Sequence, residues 1–85
     1  MVPWKIIQMK VLPAYCLEVV FRDGTSGIVD LSDMPFDGVF APFADPRFFE
    51  TATLEDGVVV WSGGLDIAPD AMYREVKEKQ RENVA

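Results

Sequence analysis

The sequence predicts an α+β fold: a mostly antiparallel sheet of about five strands in two hairpin groups, a short central helix, and a C-terminal helix packed on the sheet. Three observations predict it. Residues 15–22 alternate between strongly apolar and mixed side chains, which is the period of a strand with one buried face. Asp23-Gly24 and Asp56-Gly57 each separate two strand-like runs, as in a hairpin. Pro69 opens a charged C-terminal stretch with helical periodicity.

The first hairpin group contains three runs, residues 4–12, 15–21 and 25–31. Pro13-Ala14 joins the first two, and Pro13 suits a turn because it offers no backbone donor to a sheet. We expect both Asp-Gly pairs to form type I′ turns, in which the two central residues have positive φ.

The second half of the chain is predicted to form a loop, a brief helix, a second hairpin and a long helix. Residues 32–44 are a loop with apolar anchors, and Asp45 followed by Pro46 starts a brief helix. The second hairpin pairs residues 51–55 with 58–61. Gly63-Gly64 then marks a sharp turn before a helix from Pro69 to about Glu82. Its inner stripe is Met72, Tyr73 and Val76.

A chain of 85 residues has room for one core, so we predict a single domain over residues 1–85. The core spans about residues 4–76, and the charged helix end, residues 77–85, is expected to project or fray. The lone Cys16 suggests a buried thiol in a reducing compartment. With no leader and no apolar run of membrane-spanning length, we expect a cytoplasmic protein that does not enter a membrane.

The net charge of the chain indicates which kinds of partner it can bind. Eight basic residues stand against 14 acidic ones, for a net charge of −6. An acidic body repels phosphate backbones, so we expect no direct binding of nucleic acid. The same charge favours a basic protein partner or serves solubility. Strands with alternating apolar residues leave a homodimer open.

The residue types argue against catalysis. The chain has no histidine, the usual general base and commonest metal ligand. Asp30, Asp66 and Asp70 could form an acid–base pair or a cation site, but their spacing matches no ligand motif. The preferred interpretation is that Asp66 and Asp70 bond backbone N–H groups at the helix start. We therefore expect no enzyme, cofactor or metal. Tyr73 is expected to reach Asp30 or Asp66 through its hydroxyl group.

The stretch from residue 32 to residue 49 has more large apolar residues than an ordinary connection. Two interpretations are open: it folds back as a lid over the sheet, or part of it stays exposed and docks a partner. The candidate interaction surface for the second interpretation is Met34, Phe36, Val39, Phe40 and Phe43. Seven acids and one base lie between Asp30 and Asp56, so such a surface would have an acidic rim.

Several motifs together carry a resemblance. They are Tyr15-x-Leu17-x-Val19-x-Phe21-x-Asp23-Gly24, Val29-Asp30-Leu31, Gly38-Val39-Phe40, Phe43, Asp45-Pro46, Phe48, Gly57, Trp61 and Asp66-Ile67-Ala68-Pro69-Asp70-x-x-Tyr73. Over roughly residues 5–76 the chain resembles the bacterial domain-of-unknown-function family twenty-four forty-two. Its most specific part is the end that runs from Trp61 to Asp66-Ile67-Ala68-Pro69-Asp70-x-x-Tyr73. The residues taken as a structural signature are Asp30, Trp61, Asp66, Pro69, Asp70 and Tyr73.

The resemblance implies a small bacterial α+β domain, in some members fused to a helix-turn-helix domain and in others encoded in toxin–antitoxin-like pairs. It transfers no catalytic residue. The leading hypothesis is a non-enzymatic protein-interaction module, antitoxin-like or regulatory, that binds a basic partner encoded nearby. The alternative is a ligand-sensing accessory domain of a transcription regulator without its DNA-binding half, with a small-ligand pocket near Trp61 and Tyr73.

Overall fold

A computed structural model describes residues 3–32 and 37–82. In chain order these ranges hold β1 (Ile6–Leu12), β2 (Cys16–Phe21), β3 (Ser26–Asp30), a 3₁₀ helix (Gly38–Ala44), α1 (Pro46–Phe49), β4 (Thr53–Glu55), β5 (Val58–Trp61), a 3₁₀ turn (Ser62–Gly64), β6 (Leu65–Ile67) and α2 (Pro69–Glu82). The predicted α+β class, antiparallel pairing and C-terminal helix are confirmed. The strands of these ranges form two three-stranded sheets, β1-β2-β3 and β4-β5-β6.

The sheets contain six strands in the described ranges, one more than expected. The additional strand, β6, lies in the stretch that the sequence assigned to a sharp turn. Gly63 and Gly64 have φ values of 84° and 83°, which reverse the chain at once. Leu65 therefore returns opposite Trp61, and Ile67 opposite Val59. A strand of three residues is too short to show a period in the sequence.

The two Asp-Gly turns differ. Asp56 (φ 49°) and Gly57 (φ 83°) both have positive φ, so the predicted type I′ turn is confirmed. At the first turn that prediction is wrong, because only Gly24 has a positive φ, 89°. The amide of Phe21 donates to the Thr25 carbonyl at 2.7 Å, which encloses a three-residue loop. Asp23 Oδ1 accepts from the Thr25 amide at 2.9 Å, a local bond that favours this loop.

The core lies between the sheets and α2. On β2 the alternation predicted from the sequence is confirmed, with Leu17, Val19 and Phe21 all fully buried. On α2 Met72 and Val76 are each 2% exposed, while Tyr73 is half-buried. The remaining buried apolar residues of the described ranges are Ile6, Val29, Leu31, Phe43, Phe49, Val59 and Trp61. The apolar stripe of α2 and the buried face of β2 thus belong to one core, as the helical and strand periodicities predict.

The two sheets join where β1 passes the β4–β5 turn. The Ile6 amide donates to the Gly57 carbonyl at 3.2 Å, and Lys5 Nζ lies 3.2 Å from Asp56 Oδ1. A Cβ at position 57 would collide with the Lys5 side chain, and the backbone there has a positive φ. Glycine is therefore required at this junction for two separate reasons.

Helix α2 covers the outer edge of β3. Lys79 Nζ donates to the Ile28 carbonyl and Gln80 Nε2 to the Ser26 carbonyl, both at 3.1 Å, while the Asp30 amide donates to Glu75 Oε2 at 3.0 Å. The expectation that the helix projects or frays beyond Val76 is therefore wrong for Lys79 and Gln80. Polar side chains hold this part of the helix on the strand where the apolar stripe has ended.

Within residues 3–32 and 37–82, no helix is both long and apolar enough to span a lipid bilayer.

The contact between β3 and α2 is tight at Gly27. A Cβ built there would lie 2.8 Å from Cγ1 of Val76, whose branched side chain is 2% exposed and has little room to move. We predict that Gly27→Ala lowers the free energy of unfolding by about 1–3 kcal/mol through overpacking. Val76→Ala alone should also destabilise, because it leaves a cavity.

The double variant tests the cause. If the two methyl groups compete for one space, Gly27→Ala combined with Val76→Ala should lose less stability than the sum of the single changes. Urea unfolding of the four proteins measures this. Strictly additive losses would show that Gly27 is required for another reason.

Candidate functional site: an apolar hollow beside the central segment

The central segment, residues 37–50, is fastened to the core by two phenylalanines. Phe43 is fully buried and Phe49 is 2% exposed. Their ring centroids lie 4.8 Å and 5.6 Å from that of Trp61 on β5. The Trp61 indole N–H donates to the Phe49 carbonyl at 2.9 Å. This part of the segment is therefore a lid over the core, as the first of the two interpretations predicts.

The candidate interaction surface changes accordingly. Including Phe43 in it was wrong, because that ring forms the centre of the aromatic cluster. Phe40 is half-buried, with its ring 5.6 Å from that of Phe43, and keeps an exposed part. Met34 and Phe36 lie outside the described residues, as does the side chain of Val39. Of the five predicted residues, Phe40 is the one that the described structure places at the surface.

Next to the lid lies an apolar hollow of about 320 Å³. It opens between the β1–β2 turn and α1. Its lining residues are Val11, Leu12, Pro13, Ala14, Tyr15, Pro46, Phe49 and Glu50. Seven of these eight side chains are apolar or aromatic, and Glu50 is the one ionisable carboxylate among them. A concave apolar surface with one charge at its margin is suited to hold an apolar side chain of a binding partner.

The hollow depends on an unusual backbone at the β1–β2 turn. Ala14 and Tyr15 have φ values of 62° and 63°, the left-handed region that costs a residue with a Cβ roughly 1–2 kcal/mol. Tyr15 compensates through its side chain. Its hydroxyl donates to the Ala44 carbonyl at 3.2 Å, and its ring packs edge-on against Phe49 at 5.2 Å. The turn is thus tied to the lid, and the hollow lies between them.

The central segment carries exposed acids, one of which, Glu50, lines the hollow. Asp37, Asp45 and Glu50 are exposed. Asp45 Oδ1 accepts from the Arg47 amide at 2.9 Å, which confirms the predicted cap of α1. The Arg47 guanidinium lies 3.8 Å from the same oxygen, at the long end of an ion pair. The central segment therefore carries three exposed carboxylates and one exposed guanidinium.

Asp30 and Cys16 lie side by side at the ends of β3 and β2. Asp30 Oδ1 accepts from the hydroxyl and the amide of Ser32 at 2.6 Å and 2.9 Å. These bonds lower the pKa of the Asp30 carboxyl. Cys16 is half-buried rather than fully buried as expected. Desolvation, followed by the charge of Asp30, raises the pKa of its thiol, which disfavours the reactive thiolate.

The other residues of the structural signature lie in the core, at the start of α2 or on β6. Trp61 belongs to the core, and Pro69 is the first residue of α2, as predicted. Asp70 lies exposed in the first turn of α2, where a negative charge favours the helix dipole, and its Oδ1 accepts from the Ala71 amide at 3.0 Å. Asp66 is exposed on β6, and its side chain forms no hydrogen bond with the described residues. The predicted bond from Asp66 to the helix start is therefore not formed.

Tyr73 has a different partner from the two predicted ones. Its hydroxyl donates to Asp23 Oδ2 at 2.6 Å, not to Asp30 or Asp66. The hydroxyl of Tyr73, followed by the Thr25 amide, lowers the pKa of Asp23 to about 2. The reason is topological: Asp23 sits in the β2–β3 loop, which lies against the first half of α2. Among residues 3–32 and 37–82 no three carboxylate or thiol groups converge closely enough to hold a metal ion.

The sequence interpretation missed the hollow itself. Ala14 and Tyr15 carry no sequence sign of a left-handed backbone, unlike an Asn-Gly or Asp-Gly pair. The predictions of a strand at Val11 and Leu12 and of a brief helix at α1 are confirmed. That these two elements lie close together, however, results from the tertiary fold. A dense cluster of aromatic residues after a turn was the available signal, and it pointed to the segment rather than to the space beside it.

Comparison with known proteins gives one match. A family model described as a protein of unknown function, DUF2442, matches residues 6–78. This is most of the chain, and it agrees with the resemblance seen in the motifs. No curated protein and no solved structure matches the chain.

The strained turn generates a first prediction. Replacing Ala14 with glycine removes the steric cost of its positive φ at the expense of some unfolded-state entropy, so we expect the free energy of unfolding to rise by about 0.5–1 kcal/mol. Ala41→Gly, in the exposed part of the 3₁₀ helix, is the control, since it has no positive φ to relieve and should destabilise. Chemical denaturation measures both. A loss of stability in Ala14→Gly would contradict the strain.

A second prediction concerns the stability of the fold at acidic pH. Folded Asp23 titrates at about 2 against an ordinary value of 3.8, so the unfolded chain binds more protons between these values and stability rises with pH across this window. The contribution is complete above the unfolded value and lost as pH falls through about 2. In Tyr73→Phe, which keeps the ring against Phe21, this dependence should weaken.

Urea midpoints of wild type and Tyr73→Phe, measured from acidic to neutral pH, test this. The stability difference should be largest near neutral pH and shrink towards the acid end. A difference that is constant with pH would mean that the Tyr73 hydroxyl does not act through the Asp23 carboxylate.

Proposed function

Because the chain belongs to the DUF2442 family, whose function is unassigned, we propose from its site that it is a non-enzymatic protein-interaction module. We propose an antitoxin-like or regulatory role in the bacterial cytoplasm, with a basic protein partner encoded nearby. The observation that carries the proposal is the apolar hollow beside the central segment, with Glu50 on its lining and two further exposed acids, Asp37 and Asp45, in the same segment. The partner would insert an apolar side chain into the hollow and place basic groups on the rim.

The lining of the hollow supports binding rather than chemistry. Acid–base catalysis needs a pair of ionisable groups set at hydrogen-bond distance from a reacting atom. Among the described lining residues Glu50 is the one carboxylate and Tyr15 the other ionisable group, and the Tyr15 hydroxyl donates to the Ala44 carbonyl. Burial of an apolar anchor is the interaction that such a lining favours.

The charge around the hollow supports a basic partner. Glu50, Asp45 and Asp37 are all exposed, and the chain carries a net charge of −6. Charges on the rim of an interface act mainly on the association rate and on the discrimination between partners. A basic partner would therefore associate faster at low salt, and an acidic one would be repelled.

The construction of the hollow supports rigid docking. Its two walls, the β1–β2 turn and α1, are connected by the Tyr15–Ala44 hydrogen bond and the Tyr15–Phe49 ring contact. A preformed surface loses little conformational entropy on binding. The partner would thus meet the hollow in the shape seen here.

The prediction is tested with two pairs of matched variants. Leu12→Ala removes apolar lining from the hollow, and Ile28→Ala removes an exposed apolar side chain elsewhere on the same sheet. Glu50→Lys reverses a rim charge, and Glu78→Lys reverses an exposed charge on α2. Affinity capture from the lysate of the native bacterium, followed by titration of the recovered partner, compares them.

We expect a stoichiometric basic partner with wild type, Ile28→Ala and Glu78→Lys. Leu12→Ala should weaken its binding by about tenfold, and Glu50→Lys should slow association and reduce the dependence on salt. Melting curves confirm that each variant is folded. Recovery of no stoichiometric partner, together with a monomer in sedimentation, would count against the proposal.

A further inference from the structure

A second hollow lies on the other side of the molecule, between the N-terminal segment and the first half of α2. Its volume is about 320 Å³, and its lining residues are Pro3, Trp4, Asp70, Tyr73, Arg74 and Lys77. It shares no residue with the apolar hollow beside the central segment. This hollow is therefore separate from the surface of the proposed function.

Two aromatic side chains form its walls. Trp4 and Tyr73 are both half-buried, and both pack against the core. Tyr73 is held at two points, since its hydroxyl donates to Asp23 at 2.6 Å and its ring meets Phe21 edge-on at 5.0 Å. Aromatic rings fixed in this way present a flat, preformed surface on which a planar group can stack.

The cations beside these rings form no close ion pair within residues 3–32 and 37–82, although Lys77 acts on the Asp23 carboxylate through its charge and Asp70 lines the same hollow. Arg74 and Lys77 are exposed, and neither forms an ion pair with a described residue, although the chain has 14 acids against 8 bases. Lys79, one turn after Glu75, is bound to that carboxylate at 3.1 Å. Lys77 Nζ lies 5.5 Å from the centroid of the Tyr73 ring, as in a cation–π contact. The hollow thus combines flat apolar walls with two available positive charges.

We propose that this hollow binds a small planar aromatic monocarboxylate. Its ring lies against Trp4 and Tyr73, and its carboxylate is bound by the Arg74 guanidinium, whose fork matches two carboxylate oxygens, with Lys77 beside it. Asp70, the sixth lining residue, places a negative charge in the same hollow and disfavours a ligand with a second anionic group. The sequence had placed a small-ligand pocket near Trp61 and Tyr73. Trp61 is 2% exposed, so the tryptophan of this hollow is Trp4.

The test is a titration of the ¹⁵N-labelled protein with indole-3-carboxylate, the neutral indole-3-carboxamide and the non-aromatic cyclohexanecarboxylate, followed by NMR. We expect indole-3-carboxylate to bind with a Kd on the order of 1 mM or tighter. The shifts should centre on residues 4, 73, 74 and 77. The amide and the non-aromatic acid should each bind at least about tenfold more weakly, because one lacks the charge and the other the flat ring.

The variants Arg74→Gln and Lys77→Gln assign the site. Arg74→Gln should weaken indole-3-carboxylate by about tenfold or more, and Lys77→Gln by less, whereas Arg47→Gln, an equal charge change beside the other hollow, should leave binding unchanged. Three outcomes would overturn the proposal: no saturable shifts at millimolar ligand, equal affinity for the amide, or equal loss in the Arg47 variant. Since none of these variants touches Leu12 or Glu50, failure here leaves the partner proposal standing.

Discussion

The hydrogen bond from the Trp61 indole N–H to the Phe49 carbonyl is the contact on which the architecture depends. Trp61 ends the central strand of the second sheet and is 2% exposed. An indole N–H left unpaired at that depth would cost roughly 1–3 kcal/mol. The Phe49 carbonyl at the end of α1 accepts this bond together with one from the Ala52 amide at 3.3 Å, so the indole N–H is satisfied. The bond fixes α1 against β5, and the segment before it must then cross the core.

The shape of the surface follows from that fixed position. With Phe43 and Phe49 packed on Trp61, the outer side of α1 faces the β1–β2 turn, and the space between them becomes the apolar hollow. Tyr15 is drawn towards the lid by its bond to Ala44 and its contact with Phe49. The left-handed backbone at Ala14 and Tyr15 is the cost of reaching it, about 1–2 kcal/mol for each residue. The strained backbone and the hollow thus share one origin.

The two hollows differ in their charged groups. Glu50 lines the hollow proposed for a protein partner, whereas Arg74 and Lys77, together with Asp70, line the hollow proposed for an aromatic anion. Between them, α2 uses Glu75, Lys79 and Gln80 to cover the outer backbone groups of β3. An uncovered strand edge invites pairing with other chains, so this arrangement also protects the sheet. The polar residues of α2 therefore help to hold the fold together, as its apolar residues do.

Local chemistry determined much of the fold from the sequence alone. The alternation on β2, the Asp45-Pro46 start of α1, the Asp56-Gly57 turn and the extent of α2 each depend on a few neighbouring residues, and each was predicted. The choice between lid and exposed surface was not local. Phenylalanine is equally apolar in a core and at an interface, so only packing against Trp61 assigned Phe43 to the core.

The tertiary structure alone decided the partners and the two hollows. The Tyr73 hydroxyl donates to Asp23 because the β2–β3 loop lies beside α2. The two residues are 50 positions apart in the chain. Trp4 lines the same hollow as Arg74 and Lys77 for a similar reason, since residues 3 and 4 lie beside that helix. Such meetings depend on how distant elements pack, and no period or turn motif encodes them. Local sequence determined the described strands and α-helices except β6, and long-range packing decided which side chains face each other.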